Sequence, residues 1–522
     1  MFRDSASLQK GVPMKSSQSV ARLLAVLILL TLSAPCSAQT SDVTGLGAIA
    51  AGNDWPQWAR TSVHSSSTHA LGQSPTAKLA DITYDPFVSQ EKAETSGELL
   101  AHYQVPLVDG NSVFLEFKTG KYVSCNPPGS GRPYPCGPND WNTEIWNERA
   151  FTWKNGTLVK VWNFRTDWKP EPNTDFGGQN GDGLFGWEPV FHAALHNGNV
   201  FVPGLGGTIY KLNETNGTVL AHYNPFRSVD PNRFVSGPLT IDAVGNVYYN
   251  VLELDAKNPW SVDVRNSWLV KVKPNGVIQK VSYSRLTTQG TSDGSQRPGV
   301  NISPAVSADG KTIYTASVAH FNNSDANLIA VNSDLTPKWH TSLINLANGQ
   351  ITGIIFDLSS ATPVVLPDGN LLFGVLAPGT SRGFMLKFNS SGQYLTSFDF
   401  GWDDTPAIYV HGGTYSIITK NNFYGTSGPY YITQLNADLV PEWSYQSVDN
   451  FEWCVNAPAV DGNGTVYADS EDGSLFVINQ GGTLKGQIFL QQALGAAYTP
   501  VSIGLDGKIY TLNNGDMFVI GK

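Results

Sequence analysis

Short apolar runs recur along nearly the whole chain, each broken within a few residues by Gly, Pro, Asn or Asp. Eight times a proline opens such a run. A turn rich in Asp, Asn and Gly closes it, most often Asp-Gly or Asn-Gly, and a second apolar run ending in Tyr or Phe follows. The copies begin at Val105-Pro106, Glu188-Pro189, Gly237-Pro238, Ser303-Pro304, Thr362-Pro363, Thr405-Pro406, Ala457-Pro458 and Thr499-Pro500. Within each run apolar and polar residues alternate, the period of a strand with two inequivalent faces. A third run follows, such as Leu328–Asn332 or Leu475–Asn479, and then a fourth that closes on an aromatic: Trp162, Tyr223, Trp339, Phe398 or Trp443. No window outside the N-terminus has sustained helical periodicity.

Four antiparallel strands per repeat of about 40–60 residues cannot bury their own apolar face and must stack beside neighbours, which predicts a β-propeller. The count is eight blades, or seven if the degenerate repeat at Pro406 is not a full blade. The last repeat offers only three strands, Thr499–Ile503, Lys508–Leu512 and Met517–Lys522. Leu79–Tyr84, upstream of the first repeat, is expected to supply the fourth and close the ring, leaving no sheet edge exposed.

Strand direction sorts the connections. The turns between first and second strands and between third and fourth strands share one face, and these are short, for example Asp309-Gly310 and Asn155-Gly156. The remaining connections share the other face and hold every long insertion: 119–148, 165–187, 253–266, 284–302, 344–361, 401–404, 421–429 and 447–456. Long loops on a rigid scaffold are where function concentrates, so this long-loop face is the expected functional one.

Composition narrows the setting. Fifty-two Gly and 31 Pro punctuate the 522 residues, and only 15% are charged, which fits packed sheets better than a solvated helical surface. Residues 1–38 read as a signal peptide: Lys10, Lys15 and Arg22 precede the apolar run Leu23–Leu32, and Cys36-Ser37-Ala38 leads to Gln39. The apolar run is too short to span a membrane, and nothing later is long enough. The predicted organisation is therefore signal peptide 1–38, entry segment 39–78 and propeller 79–522, secreted or periplasmic. The net charge of −10 has no basic stripe against it and argues against nucleic acid as partner. Cys125 and Cys136 bracket a Pro- and Gly-rich loop and are expected to form a structural disulfide in an oxidising compartment. Cys454 reads as a packed thiol, with a reactive one as the alternative.

The repeat resembles the pyrroloquinoline-quinone-like (quinoprotein) β-propellers, whose blades carry an Ala-x-Asp-x-x-x-Gly-x-x-x-Trp docking motif after a strand opened by Pro. Asn332–Trp339 and Asn436–Trp443 are similar to that motif with Asn in the Asp slot, and Asp54-Trp55-Pro56-Gln57-Trp58 is similar to the entry segment. The resemblance covers about residues 52–522. It implies the fold and leaves function open, since one propeller hosts many activities. In the quinone-dependent dehydrogenases of the family it implies a channel-bound quinone, a Ca²⁺ held by Glu and Asn, a catalytic Asp and a Trp floor. Here Glu188, Asn301 and Asp403 are the residue types for Ca²⁺, with Asp403 also the candidate for the catalytic Asp. The adjacent-cysteine disulfide usual in those enzymes is missing.

Residues just before each proline are expected to ring the channel mouth, which gathers Trp187, Glu188, Asn301, Ser303, Asp403, Asp404, Asn456 and Tyr498; the ligand-binding candidates among them are Trp187, Glu188, Asn301, Asp403, Asp404 and Tyr498. Hard oxygens there suit Ca²⁺ and an aromatic suits a planar ligand, while the plain alternative is a polar, water-filled channel. His192 and His196 lie in a strand context and read as structural histidines rather than a zinc pair. His411, before Gly412-Gly413, is expected in a tight turn on the opposite face. Trp141, Trp146, Trp168 and Trp187, interleaved with Asp167, Glu171, Asp175 and Asp182, would suit a glycan if exposed; otherwise they pin long loops to the scaffold. The first expectation is a non-catalytic binding or scaffold propeller, with a protein or glycan partner and no cofactor. The alternatives are a PQQ- and Ca²⁺-dependent dehydrogenase of alcohols or sugars, and a polysaccharide-binding or -cleaving propeller.

Overall fold

The computed structural model describes residues 53–94, 104–122, 143–169, 191–254, 264–287, 296–299, 301–319, 322–355, 361–378, 382–401, 404–422, 428–447, 451–453, 457–491 and 500–522. Eight antiparallel sheets follow one another along the chain as the blades of a propeller. The degenerate repeat at Pro406 is a full blade, with strands Ala407–His411, Thr414–Asn421, Tyr431–Asn436 and Pro441–Gln446. Seven blades are therefore excluded.

The prolines mark the innermost strands for a physical reason. Proline has no N–H to give a ladder, so it sits most cheaply just outside the first strand position. The strands accordingly begin one residue after it at Leu107, Ala305, Val364, Ala407 and Ala459. Blade 3 differs: its strand Arg233–Ile241 runs through Gly237-Pro238, and the pairing register shifts between Ser236 and Thr240 to let the proline in.

The eighth blade has three strands from the C-terminal repeat, Ser502–Ile503, Ile509–Asn513 and Asp516–Gly521. Its outermost strand is Ala77–Thr83, paired antiparallel with Asp516–Gly521. The first blade also takes an additional inner strand, Asn53–Trp55, against Leu107–Asp109.

Neighbouring blades lock through an aromatic on one and a left-handed turn residue on the next. Trp162 lies against Gly217, Tyr223 against Gly276, Trp339 against Gly392 and Trp443 against Gly482. Trp162 and Trp339 also donate their indole N–H to carbonyls of the apposed turn, Glu214 O at 2.8 Å and Ser390 O at 3.0 Å. Two blades instead carry a left-handed leucine in their turn, Leu335 and Leu439. Leu439 shares a buried cluster with Phe398, and Leu335 one with Val281 and Tyr283.

Helix is scarce. The longest among the described residues is Val88–Glu94, and none is long and apolar enough to cross a membrane.

Candidate functional site

Residues 54–68 are all buried, an unusual state for a stretch so rich in Ser, Thr and His. They fill the channel at the short-turn end, where the innermost strands finish. Their backbone takes the place a sheet neighbour would have, and each blade is bonded once or more. The strand Asn53–Trp55 joins blade 1. Pro56 O accepts from Leu195 N of blade 2 at 2.7 Å, and the Gln57 amide exchanges two bonds with Ile241 of blade 3. Ser62, Val63, Ser65 and Ser66 carbonyls accept in turn from Val306, Val365, Ile408 and Val460 of blades 4 to 7, at 2.7–3.0 Å. Asp54 Oδ2 accepts from Leu505 N of blade 8 at 2.9 Å. Small side chains suit this path because the backbone itself must reach each strand.

The segment is held in a tight shape. Ala59, Arg60, His64 and Ser66 have φ of 48°, 68°, 62° and 47°, left-handed values that non-glycine residues keep only when surroundings over-determine them. Arg60 supplies part of that determination. Its buried guanidinium donates to Asp54 O and to Ser67 O, both at 2.8 Å, tying the two ends of the plug together. Burial lowers its pKa to about 10, so it stays charged at neutral pH.

His64 points from the plug into a ring of hydroxyl groups. Its Nδ1 lies 2.8 Å from Pro363 O and 2.9 Å from Thr362 Oγ1, and its Nε2 lies 3.5 Å from Thr240 Oγ1. A carbonyl can only accept, so the proton is assigned to Nδ1. Thr240 Oγ1 is 2.7 Å from Ser303 Oγ, which reaches Pro238 O at 3.1 Å, and Thr405 Oγ1 accepts from Thr362 N at 3.0 Å. Ser303, Thr362 and Thr405 each immediately precede a repeat proline. The plain reading of the channel, polar groups satisfying one another, holds for this layer.

Nearer the long-loop end lie Asn301 and Asp404, which with Ser303 are the described members of the predicted mouth. Both are buried. Asp404 Oδ2 accepts from Thr419 Oγ1 at 2.8 Å. Its backbone passes so close to Gly374 that a Cβ there would sit 2.5 Å from Asp404 O. Asn301 Oδ1 is buried with no hydrogen-bond partner. Two further buried residues at this end were not anticipated: Asn513, whose amide N and O both lack partners, and Asn422, whose Oδ1 does. Asn513 and Asn422 end or follow second strands, a position the proline pattern does not mark.

Trp187, Glu188, Asp403, Asn456 and Tyr498 lie outside the described residues, as do Cys125, Cys136 and Cys454. Of the three Ca²⁺ candidates only Asn301 is therefore placed. Its free carboxamide oxygen is a hard donor, but one oxygen falls far short of the roughly six to eight that Ca²⁺ takes. Among the described residues no group of three or more His, Cys, Asp or Glu converges as a metal site.

Of the two readings of the tryptophan-rich loops, Trp146 and Trp168 follow the one in which they pin chain to the scaffold. Trp146 and Trp168 are fully buried and meet edge to face with centroids 5.4 Å apart, and Trp168 is also 5.4 Å from Phe191. Neither can offer its face to a sugar. Trp141 lies outside the described residues.

His192 is structural, as expected. Its Nδ1 donates to Ala193 O at 2.7 Å and its Nε2 accepts from Val105 N at 3.2 Å, joining blades 1 and 2. Burial lowers its pKa to about 4, as it does that of His64. Beside it a cavity of about 10 Å³, room for one water, is lined by Gln104, Glu116, Glu148 and Phe191. Burial holds the Glu148 carboxyl well above the usual range. His411 ends its strand on the short-turn face, stacked on Tyr409 and bonded to Ser416 Oγ at 2.8 Å.

No protein-family model matches the sequence, and no curated protein does. Solved structures do. A europium-containing methanol dehydrogenase superposes with a TM-score of 0.55 at 10% identity, over 88% of this chain and 89% of that one. The chain has the quinoprotein propeller fold. The quinohemoprotein alcohol dehydrogenase of Comamonas testosteroni agrees, with a TM-score of 0.53 at 11% identity over 90% of this chain and 81% of that one. BamB from Moraxella catarrhalis is similar at a TM-score of 0.43 and 12% identity, over 85% of this chain and 99% of that one. At such identities a quinoprotein-type propeller is a statement of architecture, and the site residues decide the rest.

Proposed function

We propose that this chain is an exported binding or scaffold propeller that receives a ligand or partner at the long-loop end of its channel and catalyses no reaction. The plug carries the reading. Residues 54–68 fill the short-turn end and bond to all eight blades, so a ligand reaching the polar interior enters from the long-loop side. On that face the buried Asn301, Asn422 and Asn513 have hydrogen-bonding atoms without partners, a costly state that a bound polar group would relieve.

A second reading, quinone- and Ca²⁺-dependent oxidation of an alcohol or sugar, draws on the same Asn301 oxygen together with Glu188 and Asp403 as the remaining ligands. Dye-linked oxidation of alcohols and sugars by the full chain supplied with the quinone and Ca²⁺ separates the two. The binding reading expects no turnover. Turnover abolished by Asp403→Asn or Glu188→Gln would replace it with the dehydrogenase. In a thermal-shift screen with quinone, Ca²⁺ and oligosaccharides, a stabilising probe should lose roughly tenfold in affinity in Glu188→Ala or Asp403→Ala. Asp309→Asn, in an exposed turn of the other face, should leave it unchanged.

A further inference from the structure

Glu116 and Glu148 lie directly opposite each other on the second and third strands of blade 1, Ser112–Gly120 and Glu144–Lys154. Directly opposed residues rise on the same face of a sheet, so two carboxyl groups share one place, and both are buried. Taking a carboxyl out of water is costly unless something bonds to it. Yet Glu148 forms no ion pair among the described residues, and its Oε1 has no hydrogen-bond partner.

That face looks onto the cavity of about 10 Å³. Gln104, Glu116 and Glu148 line it from the first repeat. Phe191, His192 and Ala193 line it from the segment entering the first strand of blade 2, Ala194–His196. The other polar groups there already have work. His192 Nδ1 donates to Ala193 O at 2.7 Å, and its Nε2 accepts from Val105 N at 3.2 Å. Gln104 Oε1 accepts from Glu116 N at 3.1 Å. Among the lining side chains only Glu148 Oε1 is a buried polar atom without a partner. The plug arrives at the same point: the Trp58 ring meets the His192 ring edge to face, with centroids 5.8 Å apart.

We propose that this cavity is a built site for one structural water, hydrogen-bonded to Glu148 Oε1, which joins blade 1 to blade 2 beside the plug. The volume suits one water, and the lining suits it too, since cavities that stay dry are apolar. A water serves either state of the acid: it donates to an ionised carboxyl and accepts from a protonated one. A cation fits less well. Ca²⁺ takes roughly six to eight oxygens. The side chains here offer two carboxyls and one amide oxygen that is already bonded.

A high-resolution crystal structure of the full chain tests this, together with those of Glu148→Gln and Glu148→Met. The wild type should hold one ordered water about 2.6–3.2 Å from Glu148 Oε1. Glu148→Gln keeps both size and hydrogen bonding and should keep the water. Glu148→Met keeps the volume without the polar end and should lose it. In solution, oxygen-17 relaxation dispersion should count one long-lived water fewer in Glu148→Met than in the wild type or Glu148→Gln. An empty cavity in the wild type, loss of the water from Glu148→Gln, or its persistence in Glu148→Met would each overturn the site. So would a peak ringed by oxygens at roughly 2.3–2.6 Å, the mark of a bound cation. If Glu148→Met does not fold, the wild-type and Glu148→Gln crystals still decide the matter.

Discussion

His64 Nδ1 donates to the carbonyl of Pro363 across 2.8 Å, joining the N-terminal plug to an innermost strand 299 positions later in the chain. The imidazole that makes it is buried away from water, which disfavours its charged form. His64 and His192 both have pKa values lowered to about 4 by burial. Between that value and their unfolded value near 6.5, the folded chain binds fewer protons than the unfolded one. Their contribution is thus complete above about pH 6.5 and lost as pH falls to about 4, on the order of 2–3 kcal/mol for each histidine. Glu148 opposes this, since its raised carboxyl favours acid. Relative to the wild type, His64→Gln should therefore lose less of its urea midpoint, or gain more, on going from about pH 7 to about pH 4.5, while being less stable at neutral pH. An unchanged acid slope in that variant would remove His64 from the account.

Arg60 should matter more than a charged side chain usually does. It satisfies two buried carbonyls at once, Asp54 O and Ser67 O. Arg60→Ala leaves both without a donor at about 1–3 kcal/mol each. Arg60→Lys brings one compact head where two separated donors are needed and should recover less than half the loss. Thermal melts of the three proteins check the order, and exchange of Thr68 N–H, which is bonded to Val460 O, reports whether the plug has loosened.

The plug also marks the limit of what sequence reasoning could reach. Blade count and strand order were legible because the proline, turn and aromatic recur at each copy, and a repeated signal can be checked against itself. Residues 54–68 occur once. Arg60-Thr61-Ser62-Val63-His64-Ser65-Ser66-Ser67 has no apolar period, and by composition alone it resembles a linker. It is buried because backbone rather than side chain makes its contacts, and pattern reading is blind to backbone. The pre-proline positions were legible as a ring, yet Thr362 and Thr405 went unmarked beside the more conspicuous Asp403 and Asp404. The signal was present in Ser303-Pro304, Thr362-Pro363 and Thr405-Pro406. Asn422 and Asn513 had none, since only the strand register turns them inward.

Gly217 is a sharper test of the blade seam. Its φ is +70°, and a Cβ there would lie 2.7 Å from the Trp162 ring. Gly217→Ala therefore adds displacement of the indole, and loss of its bond to Glu214 O, to a left-handed backbone cost of about 1–2 kcal/mol. The total should reach about 3 kcal/mol, with a shift in tryptophan emission. Gly110 also has positive φ, 55°, but open space around its Cβ position, so Gly110→Ala should cost only the backbone share. Equal losses in the two variants would show that the docked tryptophan is not under the constraint described.

Trp168 decides between carbohydrate recognition and scaffolding for its loop. It is 2% exposed, packs on Trp146 and Phe191, and takes a bond from its own N–H to Thr166 Oγ1 at 3.0 Å. Its indole donates to Val235 O of blade 3 at 3.4 Å, so one side chain spans from the end of blade 1 to blade 3. Removing so large a buried ring should cost about 3–5 kcal/mol, a drop of several degrees in melting temperature. It should not change retention on a polysaccharide column, because the ring has no free face. The opposite pattern, unchanged melting with lost retention, would mean that this loop opens to present Trp168 and that the carbohydrate reading was right for it. Trp146→Ala should behave like Trp168→Ala, and the double variant should lose less than the two single losses combined, since each ring is the other's packing partner.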